Sequence, residues 1–320
     1  MNYAHILSYV ARTPWAILPE KMDEILSVLA FRAAGHAFTA EEIQARIGDR
    51  SQPSASRAGA LAVIPLRGVI AHRMGTMEET SGGMSAERFT AMVKQAAAEP
   101  SIGAILLDVD SPGGTVAGLV EAADAVFQAR ESKKVIAIAN STMASAAYWI
   151  ASQASEIVAI PSALDRGIGS IGVFAVHQDL SAALEKEGIK VTVIKAGANK
   201  AEGNPFEPLS DEVRAQIQAS VDAAKKQFVK AVARGRGVSE ADVVANFGDG
   251  RAFNAKDAKA NGLIDRIATM DDTLGRLVGK SSGGMRADLA DVVVEDHVHD
   301  SPAVANALTA ADGRRFRVFI

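Results

Sequence analysis

The sequence predicts an α/β fold built on a largely parallel sheet, and three observations carry that prediction. From Ala60 onward, short β-branched runs alternate with amphipathic stretches of helical spacing, the order that lays helices against a sheet. Several of the runs are apolar throughout, as suits strands covered on both faces. A chain of 320 residues with 48% hydrophobic content can also bury a large core, enough for one sizeable domain with additions.

The elements follow in order. In residues 1–48 a small helical region is expected, with Met22, Ile25, Leu26 and Leu29 at helical spacing after Pro19. A second short helix is signalled by Thr39 and Glu42 at capping-box spacing, leading to Ile43 and Ile47. Residues 49–59, DRSQPSASRAG, have little to bury and read as a linker. The main domain is expected over residues 60–278. Its candidate strands are Leu61 to Leu66, Ala104 to Val109, Val135 to Ala139, Glu156 to Ile160, Val191 to Ile194 and Leu263 to Ile267. Ser85 should cap a helix with Phe89, Met92, Val93 and Ala96 on one face, stopped at Pro100, and another helix should follow Gly114. The longest helix should run from Asp211, after a Ser210 cap, to about Arg234, with Gly235 as its stop. A short helix to Leu277 closes the domain. Residues 279–320 read as an acidic, flexible tail.

Composition excludes several classes of function. A net charge of -4 provides no global basic field for nucleic acid or anionic lipid. With no cysteine there are no disulfides, no thiolate metal sites and no cysteine nucleophile. Residues 1–17 do not read as a signal peptide, and the longest apolar stretch, Val135 to Ile150, is too short and too polar to span a membrane. The expectation is a soluble cytoplasmic protein without a membrane anchor. His297 and His299 between Asp296 and Asp300 could hold a metal, but a solvated tail explains them better, and no metal or cofactor is assigned. Arg234 and Arg236 at a helix end are read as complementing its dipole rather than binding phosphate.

Two segments carry chemistry. In AILLDVDSPGGTVAGLVEAADAV an apolar strand runs into Gly113 and Gly114 and then a helix; such a pair can present bare N–H groups to an oxyanion, or can simply make a tight turn. In NSTMASAAYWIASQASEIVAI, Ser145 lies just after a strand among Ala144, Ala146 and Ala147, with room for a substrate carbonyl and the Ala146 N–H as a donor. A buried serine bonding back to its own helix is the alternative, and Ser141 or Thr142 could equally cap that helix.

A serine hydroxyl needs a base. Of the six histidines, only His72 and His177 fall in the α/β region, neither in a stretch resembling an active-site loop, and no G-x-S-x-G surrounds Ser145. A lysine can serve if burial lowers its pKa from about 10.4 by up to about 3 to 5 units. Lys200, in VTVIKAGANKAEGNPFEP, follows an apolar run and sits in a loop that Pro205 and Phe206 could pin, although an exposed loop lysine is the commoner case.

Together DSPGG, NSTMASAAYWIAS, GSIGV and KAGANKAEGNPFEP, in that order across residues 60–270, resemble the signal peptide peptidase A and phage capsid protease family of serine peptidases. The resemblance implies a Clp protease and crotonase type of fold, a spiral of β-β-α units. It places the nucleophile on Ser145, the lysine base on Lys200, a lysine-orienting serine on Ser170 and the oxyanion region on Gly113, Gly114 and the Ala146 N–H. It implies an endopeptidase acting on proteins or peptides, without cofactor, as a homo-oligomer. TPWAILPEKMDEIL, SAAYWIAS, EGNPFEPLSDEVR and VARGRGV favour the phage branch, whose members process scaffold and capsid proteins inside the procapsid. Three alternatives stay open: a soluble signal-peptide-peptidase-like protease degrading peptides, a crotonase-type acyl-CoA enzyme using Glu156 or Asp165 as acid/base, and an inactive assembly protein.

Overall fold

The structure, a computed structural model, describes residues 10, 13–33, 36, 39, 55–58, 60–74 and 82–281. In chain order its elements begin with β1 (Trp15–Ile17), α1 (Pro19–Ala33), β2 (Ser56–Ala58), β3 (Leu61–Arg67), β4 (Ile70–Ala71), β5 (Met84–Ser85) and α2 (Ala86–Ala98). There follow β6 (Ala104–Ser111), β7 (Gly113–Thr115), α3 (Leu119–Ser132), β8 (Lys134–Ala144), α4 (Ala146–Ala151), β9 (Glu156–Ala159) and β10 (Ile168–Gly169). The chain continues with α5 (Ser181–Lys186), α6 (Asp211–Arg236), α7 (Glu240–Asn246), β11 (Ala252–Phe253), α8 (Ala255–Ala260), β12 (Arg266–Ile267) and α9 (Met270–Ser281).

The expected α/β architecture is present. The main sheet runs β11-β10-β8-β6-β3-β2, with β9 on the first half of β8 and β12 beside β9. Pairing is parallel throughout its centre, from β3 through β6 and β8 to β9 and β12. The apolar runs are covered on both faces, as their composition demands. Ile105, Leu107 and Val109 of β6 join the large core with α2, α3, α4 and α6, whereas Leu106 meets Ile136, Ile138, Val158 and Leu277 on the other face. A smaller sheet, β1-β7-β4-β5, stands beside it. Among the described residues no helix is long and apolar enough to cross a membrane.

Local signals were legible where a cap or an amphipathic stripe marked them. Ser85 accepts from the Arg88 N–H and α2 buries Phe89, Val93 and Ala96; Ser210 caps α6 by accepting from the Val213 N–H. The stripe Met22, Ile25, Leu26 and Leu29 packs together on α1. Five expectations need correction. Val191 to Ile194 is not a strand: it pairs with no segment among the described residues, and Ile194 is 94% exposed. Only Arg266 and Ile267 of the last expected strand are in the sheet, because Leu263 and Ile264 are held in the turn that ends α8. Ser56–Ala58, assigned to the linker, pairs antiparallel with β3, and Trp15–Ile17, in the supposedly helical N-terminal region, pairs with β7. The helix toward Ile43 and Ile47, most of the linker and the tail beyond residue 281 lie outside the described residues.

The fifth correction concerns the end of α6. Gly235 does not stop the helix, which continues to Arg236 and ends at Gly237 with φ 69°. Gly235 is a glycine because a Cβ there would stand 2.1 Å from the Ser152 carbonyl oxygen. Its neighbours also serve packing: Arg234 reaches Asp124 at 2.7 Å and the Gln153 side chain, and Arg236 donates twice to Asp265, at 2.7 and 3.0 Å. Helix propensity alone makes Gly235→Ala stabilising by about 1 kcal/mol. The contact with Ser152 reverses that, and a loss of about 1–3 kcal/mol is expected in urea denaturation; an unchanged or raised midpoint would refute the close approach.

Burial pushes the Asp265 carboxyl up, but hydrogen bonds from Arg236 and the Ile157 N–H, with the Arg236 charge, outweigh it and hold the group below the ordinary carboxylate range. A carboxyl lowered on folding contributes stability that is complete above its unfolded value and is lost as pH falls through its folded one. Asp265→Asn should therefore cost about 1–2 kcal/mol near neutrality, the partial exposure of Asp265 keeping the figure modest. The gap from wild type should narrow as the pH of the denaturation series is taken from about 6 toward about 2; a constant gap contradicts the assignment.

Candidate active site

The site is built at the end of β8. Ser141 and Thr142 are inside that strand, so neither caps the helix; α4 begins at Ala146 with Ser145 immediately before it. Ser145 turns the chain at φ 54°, ψ −116°, a backbone region that side chains disfavour. Its N–H donates to Gly169 O at 2.7 Å, fixing the turn against β10. The side chain makes no capping bond, which disposes of a serine satisfied by its own helix. Ser145 is fully buried, and its Oγ has no hydrogen-bond partner among the described residues. A buried hydroxyl without a partner is uncommon and calls for a reason.

Packing holds the turn. Every residue of α4 is buried. The Tyr148 hydroxyl donates to Leu263 O at 2.7 Å, and burial pushes its pKa up. Trp149 stacks on Phe228 of α6 with centroids 4.6 Å apart. Gln153 beyond the helix donates to Ala231 O at 2.8 Å and accepts from Arg234. The C-terminal half of α6 thus clamps the element that carries Ser145.

The other residues named from the sequence are placed as follows. Ala144 is in register with Gly169, so Ser145 and Ser170 are the next residues along two paired strands; Ser170 is buried, has φ 53° and donates its N–H to Arg251 O at 2.9 Å. Ala146 is fully buried, and as the first helical residue its N–H has no acceptor within the helix. Gly113 and Gly114 are not at a helix N-terminus: they form β7, and α3 starts only at Leu119. Gly113 has φ 105°, and its N–H donates to Ser111 Oγ at 3.2 Å. A Cβ on Gly113 would stand 3.0 Å from Ser145 Cβ, and one on Gly114 only 1.8 Å from Ile70 O. The pair serves close approach, Gly113 toward the serine and Gly114 toward β4.

Lys200 is elsewhere. It lies exposed in a turn, its N–H donating to Gly197 O at 3.2 Å, on an excursion of the chain over residues 172–212 in which only Leu184 and Asn204 are buried. Since Ser145 Oγ has no partner, Lys200 does not reach it within one chain. Neither His72 nor His177 does so; the His177 ring contacts Asn204 O. The carboxylates of the acyl-CoA alternative are also misplaced. Glu156 is opposite Ile136 at the far end of β8. There burial raises its pKa but Arg266 and Lys134 pull it lower overall, the wrong direction for a proton-transfer group. Asp165 is exposed. Among the described residues no cluster of three or more histidines and carboxylates could hold a metal.

Sequence reasoning missed the strand that lies on β7. Ala16 and Ile17 are buried against Gly114 and Gly113. The only trace in the sequence is a short aromatic and apolar run, Trp15 to Leu18, between Pro14 and Pro19.

Residues 128–281 match Peptidase family S49. The chain is 33% identical over 306 residues to the capsid assembly protease C of Escherichia phage lambda, which covers 88% of this chain and 69% of that protein. It is 34% identical over 226 residues to head-tail preconnector protein GP5 of Enterobacteria phage P21, covering 71% of this chain and 44% of the relative. Protease 4 of Salmonella typhi is 32% identical over 225 residues, 69% of this chain and 35% of its own length. The chain therefore spans less than half of the last two relatives. A solved ClpP1 mutant from Listeria monocytogenes superposes with a TM-score of 0.41 at 15% identity, over 66% of this chain and 94% of that one. The chain belongs to peptidase family S49 and is a serine-type peptidase.

Proposed function

We propose that the chain is an endopeptidase with Ser145 as nucleophile and Lys200 as general base, that the lysine enters the site when copies of the chain assemble, and that its substrates are capsid or scaffold proteins of a phage. The observation that carries the reading is the buried, unpartnered Ser145 hydroxyl on a strained turn beside a glycine strand. Such a hydroxyl is a nucleophile waiting for a base. The excursion that carries Lys200 also exposes Ile189, Val191 and Ile194, apolar surface that suits burial against another copy. That burial would supply what lysine chemistry requires, since an amine acts as a base only where desolvation strips its charge. The capsid assembly protease C of phage lambda covers 88% of the chain, against 69% for Protease 4 of Salmonella typhi, which favours a capsid substrate over general peptide degradation.

In this mechanism neutral Lys200 Nζ takes the Ser145 proton as Oγ attacks a peptide carbonyl. The Ala146 N–H and the β7 glycines stabilise the oxyanion, Gly113 releasing the Ser111 hydroxyl to do so. Ser170, adjacent in register, orients the amine. Lys200 then protonates the leaving amine and activates the water that hydrolyses the acyl-enzyme.

Ser145→Ala and Lys200→Ala should each reduce cleavage of co-expressed capsid or scaffold protein by at least about 1000-fold, read by intact mass, without changing the thermal midpoint. Mixing the two dead variants should restore measurable cleavage, because a mixed assembly contains sites with both groups. Fragments produced by Ser145→Ala alone would assign the cleavage to another protease. Absence of fragments with wild type would leave an assembly protein, and a mixture that stays dead would put the base within the same chain.

A further inference from the structure

The segment Trp15–Ile17 is held on both edges. On one side it pairs antiparallel with β7, in the register Trp15↔Thr115, Ala16↔Gly114 and Ile17↔Gly113. Val116 N–H donates to Pro14 O at 3.3 Å and Leu18 N–H to Pro112 O at 2.9 Å, extending that pairing by a residue at each end. On the other side Trp15 N–H donates to Phe174 O at 2.8 Å and Phe174 N–H returns the bond to Trp15 O at 3.0 Å. Three residues of chain thus sit as a middle strand between β7 and the start of the Lys200 excursion.

The position of this strand relative to Ser145 is set by Gly113. The point where a Gly113 Cβ would stand is 2.2 Å from Ala16 O, 3.0 Å from Ile17 Cα and 3.0 Å from Ser145 Cβ. The carbonyl of Ala16 and the side chain of Ser145 therefore converge on one spot, kept open by the missing side chain. An extended polypeptide lying across a nucleophile, its backbone bonded to strands on both sides, has the geometry of a peptide bound by strand addition. Ser145 has no exposure beneath it. The strand is anchored from outside the slot: Trp15 is buried, donates its Nε1–H to Val10 O at 2.9 Å, and packs with Ile17, Met22, Ile25, Leu26 and Leu29.

We propose that the slot between Gly113–Thr115 and Phe174 is a binding site for an extended peptide, and that the chain's own Trp15–Ile17 is its resident occupant, which an incoming peptide must displace. The proposal rests on the reading of Ser145 as the nucleophile only for its functional meaning; occupancy itself can be measured without catalysis. Small side chains suit the middle position, where Ala16 faces Gly114.

The test is made on Ser145→Ala protein, so that nothing is cut. A fluorescein-labelled peptide with the sequence of residues 13–18 is titrated and anisotropy recorded, with Trp15 intact and with Trp15→Pro, which removes both the donor to Phe174 O and the aromatic anchor. Binding at least tenfold tighter to Trp15→Pro is expected, reversed by unlabelled peptide. Equal affinity for the two proteins overturns the proposal. Should circular dichroism show Trp15→Pro unfolded, Trp15→Ala, which keeps the backbone donors, is compared in its place with the same two outcomes. A fluorophosphonate that labels serine nucleophiles, applied to proteins with Ser145 intact, separates the two readings: tighter peptide binding with no labelling of any form leaves the slot standing and removes the nucleophile.

Discussion

The chain reversal at Ser145 is the constraint on which the rest of the molecule depends. A non-glycine residue at positive φ costs about 1–3 kcal/mol and persists only where its surroundings over-determine it. Here they do so from three sides. The Ser145 N–H is tied to β10, α4 is buried along its whole length, and α6 grips that helix through the Trp149–Phe228 stack and the Gln153–Arg234 bonds. Because the backbone is fixed by these contacts, the hydroxyl is not required to hold anything in place. It can stay without a partner in a dry position, a state that a serine responsible for its own local structure could not maintain.

The central strands, α2, α3 and α6 were legible because their signals are local: apolar runs, Ser caps and helical stripes. What escaped depends on partners distant in sequence. Val191 to Ile194 has the composition of a strand, yet composition does not reveal whether a neighbour exists, and none does within the described residues. Gly235 looks like a helix stop, but the reason for a glycine there is the Ser152 carbonyl, more than eighty residues away. The glycine pair was recognised and its setting misjudged, since the strand that makes Gly113 necessary comes from residues 15–17, nearly one hundred positions earlier. Ser145, Ala146 and Ser170 come together as register alone brings them. Lys200 could be named by its motif, but its distance from the hydroxyl in the single chain was beyond anything local sequence records.

The site is consequently uneven. The proposed nucleophile Ser145, the neighbouring Ser170 and the close-approach Gly113 are set by the most deeply packed part of the protein, while Lys200, the proposed base, is on one of its least packed parts. In the proposed enzyme, precision is placed where atoms must be held to fractions of an ångström, and freedom where the lysine must travel. Strand β1 bridges this division, bonded to the rigid side through β7 and to the looser side through Phe174.

With only Leu184 and Asn204 buried across residues 172–212, that excursion adds little to the cohesion of the core beyond Val173, Phe174 and Val176 at its start. So loosely packed a segment is of the kind that can open and close without global unfolding. A calorimetric scan would therefore register a complete native protein whether or not the excursion had found its place. Melting temperature is thus silent about this region, and a variant there can be inert while passing every assay of foldedness.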